Sequence, residues 1–427
     1  MHADTESPLG AIRAQAVRLS GEYSDYDALL DAIGERKFIL LGEATHGTQE
    51  FYRMRAEISR RLIIEKHVDA IAVEGDWPDV YRLNLYVRGD GVDARAYDAF
   101  GDFQRFPRWM WRNGEVLSFI EWLRTHNAAL APEARVGFYG LDMYSLYRSS
   151  EAVIDYLEKV DHDQATIARQ QYAALDHVRD PQRYGYEAVL GIRPDCRAGV
   201  RERLADLIRR SQEYQRRDGR SAADAYFFAE RNAHVVASAE AYYRAMFGAR
   251  SDSWNVRDSH MVQTLMALHR YLRAQGRDGR IAVWAHNSHL GDARGTEMSQ
   301  AGEWNVGQLM RQNAGIDDTF LVGFTTYTGT VTAAYEWGDE PDCRDIRPAR
   351  ADSYEGLFYR SQLDRFYLRL RGDAAAALRE PMLERAIGVL YRPDTEYESH
   401  YFKASLSAQF DAVFHIDESQ AVEPLDD

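Results

Sequence analysis

The sequence predicts an α/β protein with a mostly parallel central sheet flanked by helices. Short, continuously apolar runs recur along the chain, and helical patterns separate them. Continuous rather than alternating apolar runs are typical of strands that are buried on both faces, as in parallel sheets. Strands and helices in alternation therefore predict this fold class. One long stretch without strands predicts, in addition, a helical insertion.

Seven runs have the pattern of buried strands. They are residues 37–41 (KFILL), 69–73 (DAIAV), 135–139 (RVGFY), 280–284 (RIAVW), 319–324 (TFLVGF), 386–390 (AIGVL) and 410–415 (FDAVFH). Helices are indicated between them by apolar residues three or four positions apart. Two such stripes are Phe51, Met54, Ile58 and Leu62, and Val116, Phe119, Ile120 and Leu123.

The stretch from 149 to 272 has long charged helical patterns and no strand pattern. We therefore expect a single domain over residues 1–427, with residues 149–272 inserted as a helical cap. Insertions of this kind often cover the ligand edge of an α/β sheet, which would place the substrate pocket beneath this segment. The alternative is a helical subdomain that only packs.

Composition excludes several classes of protein. The 427 residues include 52 Lys plus Arg against 67 Asp plus Glu, which gives a net charge of −15. Phosphate backbones and anionic lipids repel such a chain, so we expect no nucleic acid and no membrane partner. The two cysteines, Cys196 and Cys343, form no disulfide framework or zinc motif. Without a secretory signal pattern or an apolar span, a cytoplasmic bacterial enzyme is expected.

Polar side chains follow four of the predicted strands. Glu43 and His46 follow the first, Glu74 the second and Asp142 the third, while His286 and His289 follow the fourth. The carboxyl ends of parallel strands meet at one edge, where open α/β sheets bind ligands. The sequence therefore predicts an active site at this edge.

These residue types suit acid–base chemistry on water. Histidine exchanges protons near neutral pH, and a carboxylate such as Glu43 or Glu74 would fix the tautomer of His46. A second imidazole would stabilise an oxyanion or protonate a leaving alkoxide. Arg55 would reach the site or pair with an acid. The chain has no GxSxG motif, and Ser288 is expected to point away from its flanking histidines, so a serine nucleophile is disfavoured.

Two alternatives remain open at this point. Histidines with a carboxylate could hold Zn²⁺, Mn²⁺ or Fe²⁺ in a metal-dependent enzyme. The same edge could instead belong to a non-catalytic module that binds a polar small molecule. In that case four tryptophans could line a sugar or aromatic site, namely Trp77, Trp109, Trp111 and Trp304. We predict no cofactor and leave a divalent metal open.

The polar blocks resemble those of the erythromycin esterase family. They occur in family order between about residue 30 and residue 416. The blocks are residues 41–47 (LGEATHG), 50–52 (EFY), 73–77 (VEGDW), 109–122 (WMWRNGEVLSFIEW), 138–142 (FYGLD), 284–289 (WAHNSH), 307–310 (GQLM) and 399–401 (SHY). Together they are far more specific than the GExTHG block alone.

The resemblance implies an α/β core with a helical cap, related to haem-binding-protein-like and Tiki-like folds. It also implies hydrolysis of a macrolide lactone by direct attack of water, with His46 as the base and no covalent intermediate. The catalytic residues implied are His46, Glu43, Glu74, His286 and His289. The residues expected to contact the substrate are Arg55, Arg257, Asp142 and Trp77. The substrate itself is left open between an antibiotic, in a resistance role, and another small-molecule ester or lactone.

Overall fold

The computed structural model describes residues 7–176, 180–192, 197–218 and 220–425. Cys343 is an exposed free thiol, whereas Cys196 lies outside the described residues.

The described residues form eleven strands. They are β1 (Val17–Arg18), β2 (Phe38–Leu41), β3 (Ala70–Asp76), β4 (Gly137–Asp142), β5 (Ile281–Trp284), β6 (Thr319–Ala333), β7 (Asp342–Ile346), β8 (Arg365–Arg369), β9 (Met382–Arg385), β10 (Tyr401–Ala404) and β11 (Ala412–Ser419). Nine of them build one sheet in the order β1-β8-β11-β6-β2-β5-β3-β4, with β7 paired to β6, and β9 and β10 form a separate two-stranded antiparallel sheet.

The centre of the sheet is parallel, as predicted. Strand β2 pairs in parallel with β5 on one side and with β6 on the other, and β3 and β11 extend the parallel array. All four residues of β2 and of β5 are buried, which explains their continuous apolar sequences. The remaining pairings of β1, β7 and β8 are antiparallel.

One predicted strand is wrong. Residues 386–390 make only isolated bridges, from Ile387 to Thr45 and from Leu390 to Ala334, and the strand at this place is β9, just before them. The apolar run reflects burial, since Ile387 is fully covered. Burial and strand pairing give the same apolar signal in so short a run.

Nineteen α-helices lie within the described residues. They are α1 (Pro8–Gln15), α2 (Asp27–Ile33), α3 (Gln49–Lys66), α4 (Trp77–Arg88), α5 (Ala96–Ala99), α6 (Gly114–Ala128), α7 (Leu146–Val160), α8 (His162–Asp176), α9 (Pro181–Val189), α10 (Arg197–Arg209), α11 (Ser211–Asp218), α12 (Arg220–Ala245), α13 (Arg250–Ala274), α14 (Asn287–Leu290), α15 (Val306–Asn313), α16 (Tyr354–Tyr359), α17 (Gly372–Ala377), α18 (Glu396–His400) and α19 (Leu406–Gln409). Both predicted apolar stripes are buried, one on α3 and one on α6.

The chain divides into two compact units. The first contains Met1–Val73, Arg82–Phe138 and Leu272–Asp427, and the second contains Glu74–Tyr81 and Tyr139–Tyr271. In the second unit, α12 packs against α7, α9, α10 and α11, around a core that includes Leu146, Val153 and Val236. Between β4 and β5 the described residues form the helices α7 to α13 and no strand. The role of this segment as a cap stays a prediction.

The described helices give no candidate for a membrane span, since each is too short or too polar.

Candidate active site

The loop after β2, residues 42–47, is fixed by backbone hydrogen bonds on several sides. Its peptide groups bond to β6 through Val322, to Asn287 at the start of α14 through the Glu43 carbonyl, and to Ile387 through both Ala44 and His46. The Gly47 carbonyl accepts from two further residues, Thr332 and Val422. A loop with its peptide groups satisfied in this way holds its side chains in one position.

The two glycines of this loop are required by close backbone approach. A Cβ atom on Gly42 would lie 2.2 Å from the Asn287 side-chain oxygen, and one on Gly47 would lie 1.9 Å from the Thr332 carbonyl oxygen. Both distances are far below van der Waals contact. The loop can therefore pack onto β6 and α14 only with glycine at these positions.

His46, Glu43 and Arg55 form a buried chain of hydrogen bonds. Nδ1 of His46 lies 2.8 Å from Oε1 of Glu43, and Nη2 of Arg55 donates to Oε2 of Glu43 at 2.5 Å. Glu43 and Arg55 are fully covered, and His46 is 6% exposed. Because an ionised carboxylate only accepts, the proton of the imidazole lies on Nδ1 and Nε2 is the basic nitrogen.

Arg55 is enclosed by aromatic rings. Its guanidinium carbon lies 4.7 Å from the centre of the Tyr52 ring and 5.4 Å from that of Trp284. Among the described residues, its Nε and Nη1 groups find no hydrogen-bond acceptor. Glu43 is therefore the carboxylate that balances this buried charge.

His286 approaches the same loop from β5, the parallel neighbour of β2. The ring centroids of His46 and His286 lie 4.9 Å apart. Leu41 and Trp284 are directly paired at the strand ends, which brings the two loops together. His289 is also buried, in α14.

The tautomer of His286 is set by its neighbours. Its Nδ1 accepts from the Ser288 backbone N–H at 3.2 Å, and its Nε2 lies 3.2 Å from the Ala44 carbonyl oxygen, to which it donates. The Ser288 hydroxyl lies 2.8 Å from the same Nδ1. The expectation that Ser288 points away from both histidines is wrong, because His286 caps α14 and bends back over its first turn.

In the second unit, Arg257 holds two of the predicted acids together. Its Nη2 donates to Glu74 at 2.7 Å and to Asp142 at 2.6 Å, and its Nε contacts Asp142 at 3.1 Å. Burial disfavours the guanidinium charge, but the charges of Asp142 and Glu74 outweigh it and raise the pKa of Arg257. All three predicted residues therefore belong to one charged cluster.

Tyr144 completes this cluster. The Arg257 guanidinium carbon lies 5.0 Å from the centre of its ring, and its backbone N–H donates to Asp76 at 2.7 Å. Burial raises the pKa of the Tyr144 phenol. No sequence pattern marked this residue, although it stands two positions after Asp142 in the segment that follows β4.

Trp77 packs among other aromatic side chains of the second unit. It is 1% exposed and stacks with Tyr139 and Phe228, while its ring edge meets Phe227. Its indole N–H donates to the Phe228 carbonyl at 3.3 Å. Its predicted contact with substrate stays a prediction.

Tyr52 is a second residue of the site that no sequence pattern marked. Its hydroxyl donates to the His46 carbonyl at 2.7 Å, and Trp111 meets its ring edge-on at 6.2 Å. Tyr52 stands one helical turn before Arg55 on α3, so the helical period could have placed it beside the site.

The described residues contain no group of three or more His, Cys, Asp or Glu side chains arranged to hold a metal ion.

Comparison with known proteins identifies the family. The erythromycin esterase family model matches residues 63–419. The chain belongs to the erythromycin esterase family. A curated relative, erythromycin esterase type II of Escherichia coli, is 22% identical over 94% of each chain.

Solved structures have the same fold as this erythromycin esterase family member. A succinoglycan biosynthesis protein superposes with a TM-score of 0.80 at 20% identity, over 100% of both chains. A protein from Bacillus cereus gives 0.78 at 18% identity, over 98% of both. A mutant of the erythromycin esterase EreC in its open conformation gives 0.64 at 17% identity, over 93% of this chain and 94% of that one. At these identities the likeness establishes the α/β fold alone.

Proposed function

We propose that this protein hydrolyses an ester or lactone of a small molecule, and that His46 is the general base for the attacking water. The observation that carries the proposal is the buried chain from His46 through Glu43 to Arg55. It presents a basic Nε2 and places a carboxylate where the imidazolium forms. This is the arrangement that general-base catalysis by histidine requires.

In this mechanism, His46 takes a proton from water as the water oxygen adds to the carbonyl carbon. Glu43 stabilises the resulting imidazolium through Nδ1, and Arg55 keeps Glu43 in position. The tetrahedral intermediate then expels the alkoxide, which takes the proton back from His46. No serine is acylated, and the atoms of one water molecule are added across the ester bond.

His286 has a different task from His46 in this proposal. Its Nδ1 is engaged by Ser288 and its Nε2 by the Ala44 carbonyl. These bonds make it a residue that fixes the loop beside His46. The roles of His289, Glu74, Asp142 and Arg257 in the reaction stay predictions.

The substrate of this proposed reaction can be sought with a panel of esters and lactones. Because the curated relative is an erythromycin esterase, the panel contains erythromycin, other macrolides, simple lactones and aryl esters. Mass spectrometry is used to look for a gain of one water. We expect turnover of at least one member, and we expect His46→Ala to lose about 10²–10⁴-fold in rate.

The control is His162→Ala, which removes a histidine that is 75% exposed on α8 and should leave the rate unchanged. Full activity of His46→Ala would refute the assignment of the base. Activity that disappears with chelator and returns with one equivalent of a divalent ion would support the metal-dependent alternative instead.

A further inference from the structure

The second unit contains a cavity that shares no residue with the His46 chain or with the Arg257 cluster. Its volume is about 410 Å³, within the usual size range of small-molecule pockets. Residues of α9, α10, α12 and α13 line it, together with the turn between the last two helices.

The walls of this cavity are fixed where α9 packs on α12. A Cβ atom on Gly185 would lie 2.1 Å from the Tyr243 carbonyl oxygen, so the two helices can approach this closely only with glycine there. Nη1 of Arg244, on α12, donates to the Ala188 carbonyl of α9 at 3.3 Å. The cavity is thus a built feature of the fold.

Half of the residues that line the cavity have purely apolar side chains. Three of them are alanines at successive turns of α12, and their small side chains leave open the space that larger ones would fill. The six residues are Val189, Val200, Ala237, Ala241, Ala245 and Phe247.

The apolar surface continues outside the cavity. Val189 and Phe247 line it and are 49% and 45% exposed, and the Tyr186 ring meets that of Phe247 at a centroid distance of 5.6 Å. Leu190 and Ile192 follow Val189 and are more than half exposed. Exposed apolar patches of this kind mark binding sites. Because Val189 and Phe247 belong to both the patch and the cavity, one apolar chain can lie across the two.

The charged residues of the lining have a positive excess. Three arginines, Arg197, Arg201 and Arg244, stand against Glu240 and Asp252, in a chain whose net charge is −15. Glu240 is 3% exposed, and Arg244 donates to its Oε1 through Nε at 3.1 Å and through Nη2, so these two charges balance. Arg201 and Asp252 are exposed and form no ion pair with any described residue. The remaining excess of one positive charge favours an anionic head group.

From these features we propose that the cavity binds the anion of a free medium-chain fatty acid. Its chain would lie along the alanines of α12 and cover Val189 and Phe247, and its carboxylate would accept from Arg197 and Arg201. A single free chain fits this site, because the alanines line a cavity, whereas a bilayer contacts only the patch around it. The site takes no part in the proposed hydrolysis, so His46→Ala should bind the acid as the unmodified protein does.

The test is isothermal titration calorimetry of the full chain with decanoate, below the concentration at which it forms micelles. Decanol and decyltrimethylammonium serve as neutral and cationic probes with the same chain. We expect saturable binding of decanoate, about tenfold tighter than that of either other probe, because only decanoate combines the chain with an anionic head group.

Two variants that change one charge each should shift the affinity in opposite directions. Arg201→Gln should weaken decanoate binding about fivefold, and Asp252→Asn should tighten it about two- to fivefold, since it removes a carboxylate that repels the head group. Ala241→Leu fills part of the cavity and should also weaken binding. The matched control is Arg209→Gln, which replaces another exposed arginine of α10 that does not line the cavity and should leave the affinity unchanged.

The proposal is overturned if decanoate shows no saturable binding, or if decyltrimethylammonium binds more tightly than decanoate. It is also overturned if Arg201→Gln and Asp252→Asn both keep the unmodified affinity. Vesicles of phosphatidylglycerol test the other source of an anionic lipid: sedimentation of the protein with them, without competition by decanoate, would assign the patch to a membrane surface and refute the fatty-acid site.

Discussion

Glu384 gives the sharpest test of how burial governs the stability of this protein. The side chain is fully covered on β9. Its Oε2 accepts from the Gln409 amide, and its Oε1 has no hydrogen-bond donor among the described residues. Glu355 is equally buried and also has one carboxylate oxygen without a donor. Burial, reinforced by the charge of Glu355, raises the pKa of Glu384 from its ordinary value of 4.5 to about 8.

A raised carboxyl pKa makes folding favour the protonated form. Between the two pKa values the unfolded chain has released a proton that the folded chain still holds, so stability falls as the pH rises. At pH 7 the solution lies 2.5 pH units above the ordinary pKa of 4.5. At 1.36 kcal/mol per unit, the free energy of unfolding is lower by about 3 kcal/mol than it is in acid. The free energy of unfolding continues to fall up to about pH 8, the pKa of Glu384 in the folded protein, and then levels off.

Glu384→Gln removes this titration while keeping the shape of the side chain. We expect its advantage in free energy of unfolding over the unmodified protein to grow by about 3 kcal/mol between pH 5 and pH 8. Urea unfolding followed by tryptophan fluorescence at several pH values measures it. The control Glu398→Gln replaces an exposed glutamate and should track the unmodified protein. Parallel pH profiles for Glu384→Gln and the unmodified protein would refute the reasoning.

Three further substitutions test the active site. Arg55→Lys keeps the charge but alters the contact with Glu43 and the rings of Tyr52 and Trp284; we expect kcat to fall about tenfold or more with KM little changed, and a rise in KM alone would instead show that Arg55 contacts the substrate. Gly47→Ala places a methyl group 1.9 Å from the Thr332 carbonyl oxygen, so urea unfolding should show a loss of about 2 kcal/mol or more; an unchanged midpoint would contradict the close approach. Ser288→Ala should retain ester hydrolysis within about threefold, since the proposed reaction needs no serine nucleophile; complete loss with the fold intact would favour an acyl-enzyme.

The centre of the sheet could be predicted from the sequence because its strands are buried on both faces. Strands β2 and β5 read as apolar runs for this reason. The edges could not be predicted so readily. Strand β7 is mostly exposed and polar. Strand β1 is only two residues long, and both are exposed. Beyond residue 324, β6 continues through a threonine-rich stretch to Ala333, where apolar content no longer marks the strand.

The site residues were predictable to the extent that strand ends fix them. Glu43 and His46 stand three positions apart on one loop and are in contact, whereas the sequence left Glu43 and Glu74 as alternative partners of His46. The contact between Ser288 and His286 depends on the first turn of α14, which no periodicity encodes. The run at 386–390 gave the wrong element because it is apolar through burial: Ile387 packs in a cluster with Val331, Ile346 and Tyr391, and its backbone N–H donates to the Ala44 carbonyl.

The buried ion pair of Arg55 and Glu43 restrains the His46 loop in addition to its backbone hydrogen bonds. A guanidinium without solvent is costly unless a carboxylate accompanies it, and here Glu43 provides that carboxylate. Displacing Glu43 would leave the charge alone between two aromatic rings. The same carboxylate orients Nδ1 of His46. The cost of separating the buried ion pair therefore also resists any rotation of the imidazole away from the orientation that the proposed mechanism uses. Preorganisation of this kind lowers a reaction barrier without any contact between the arginine and the substrate.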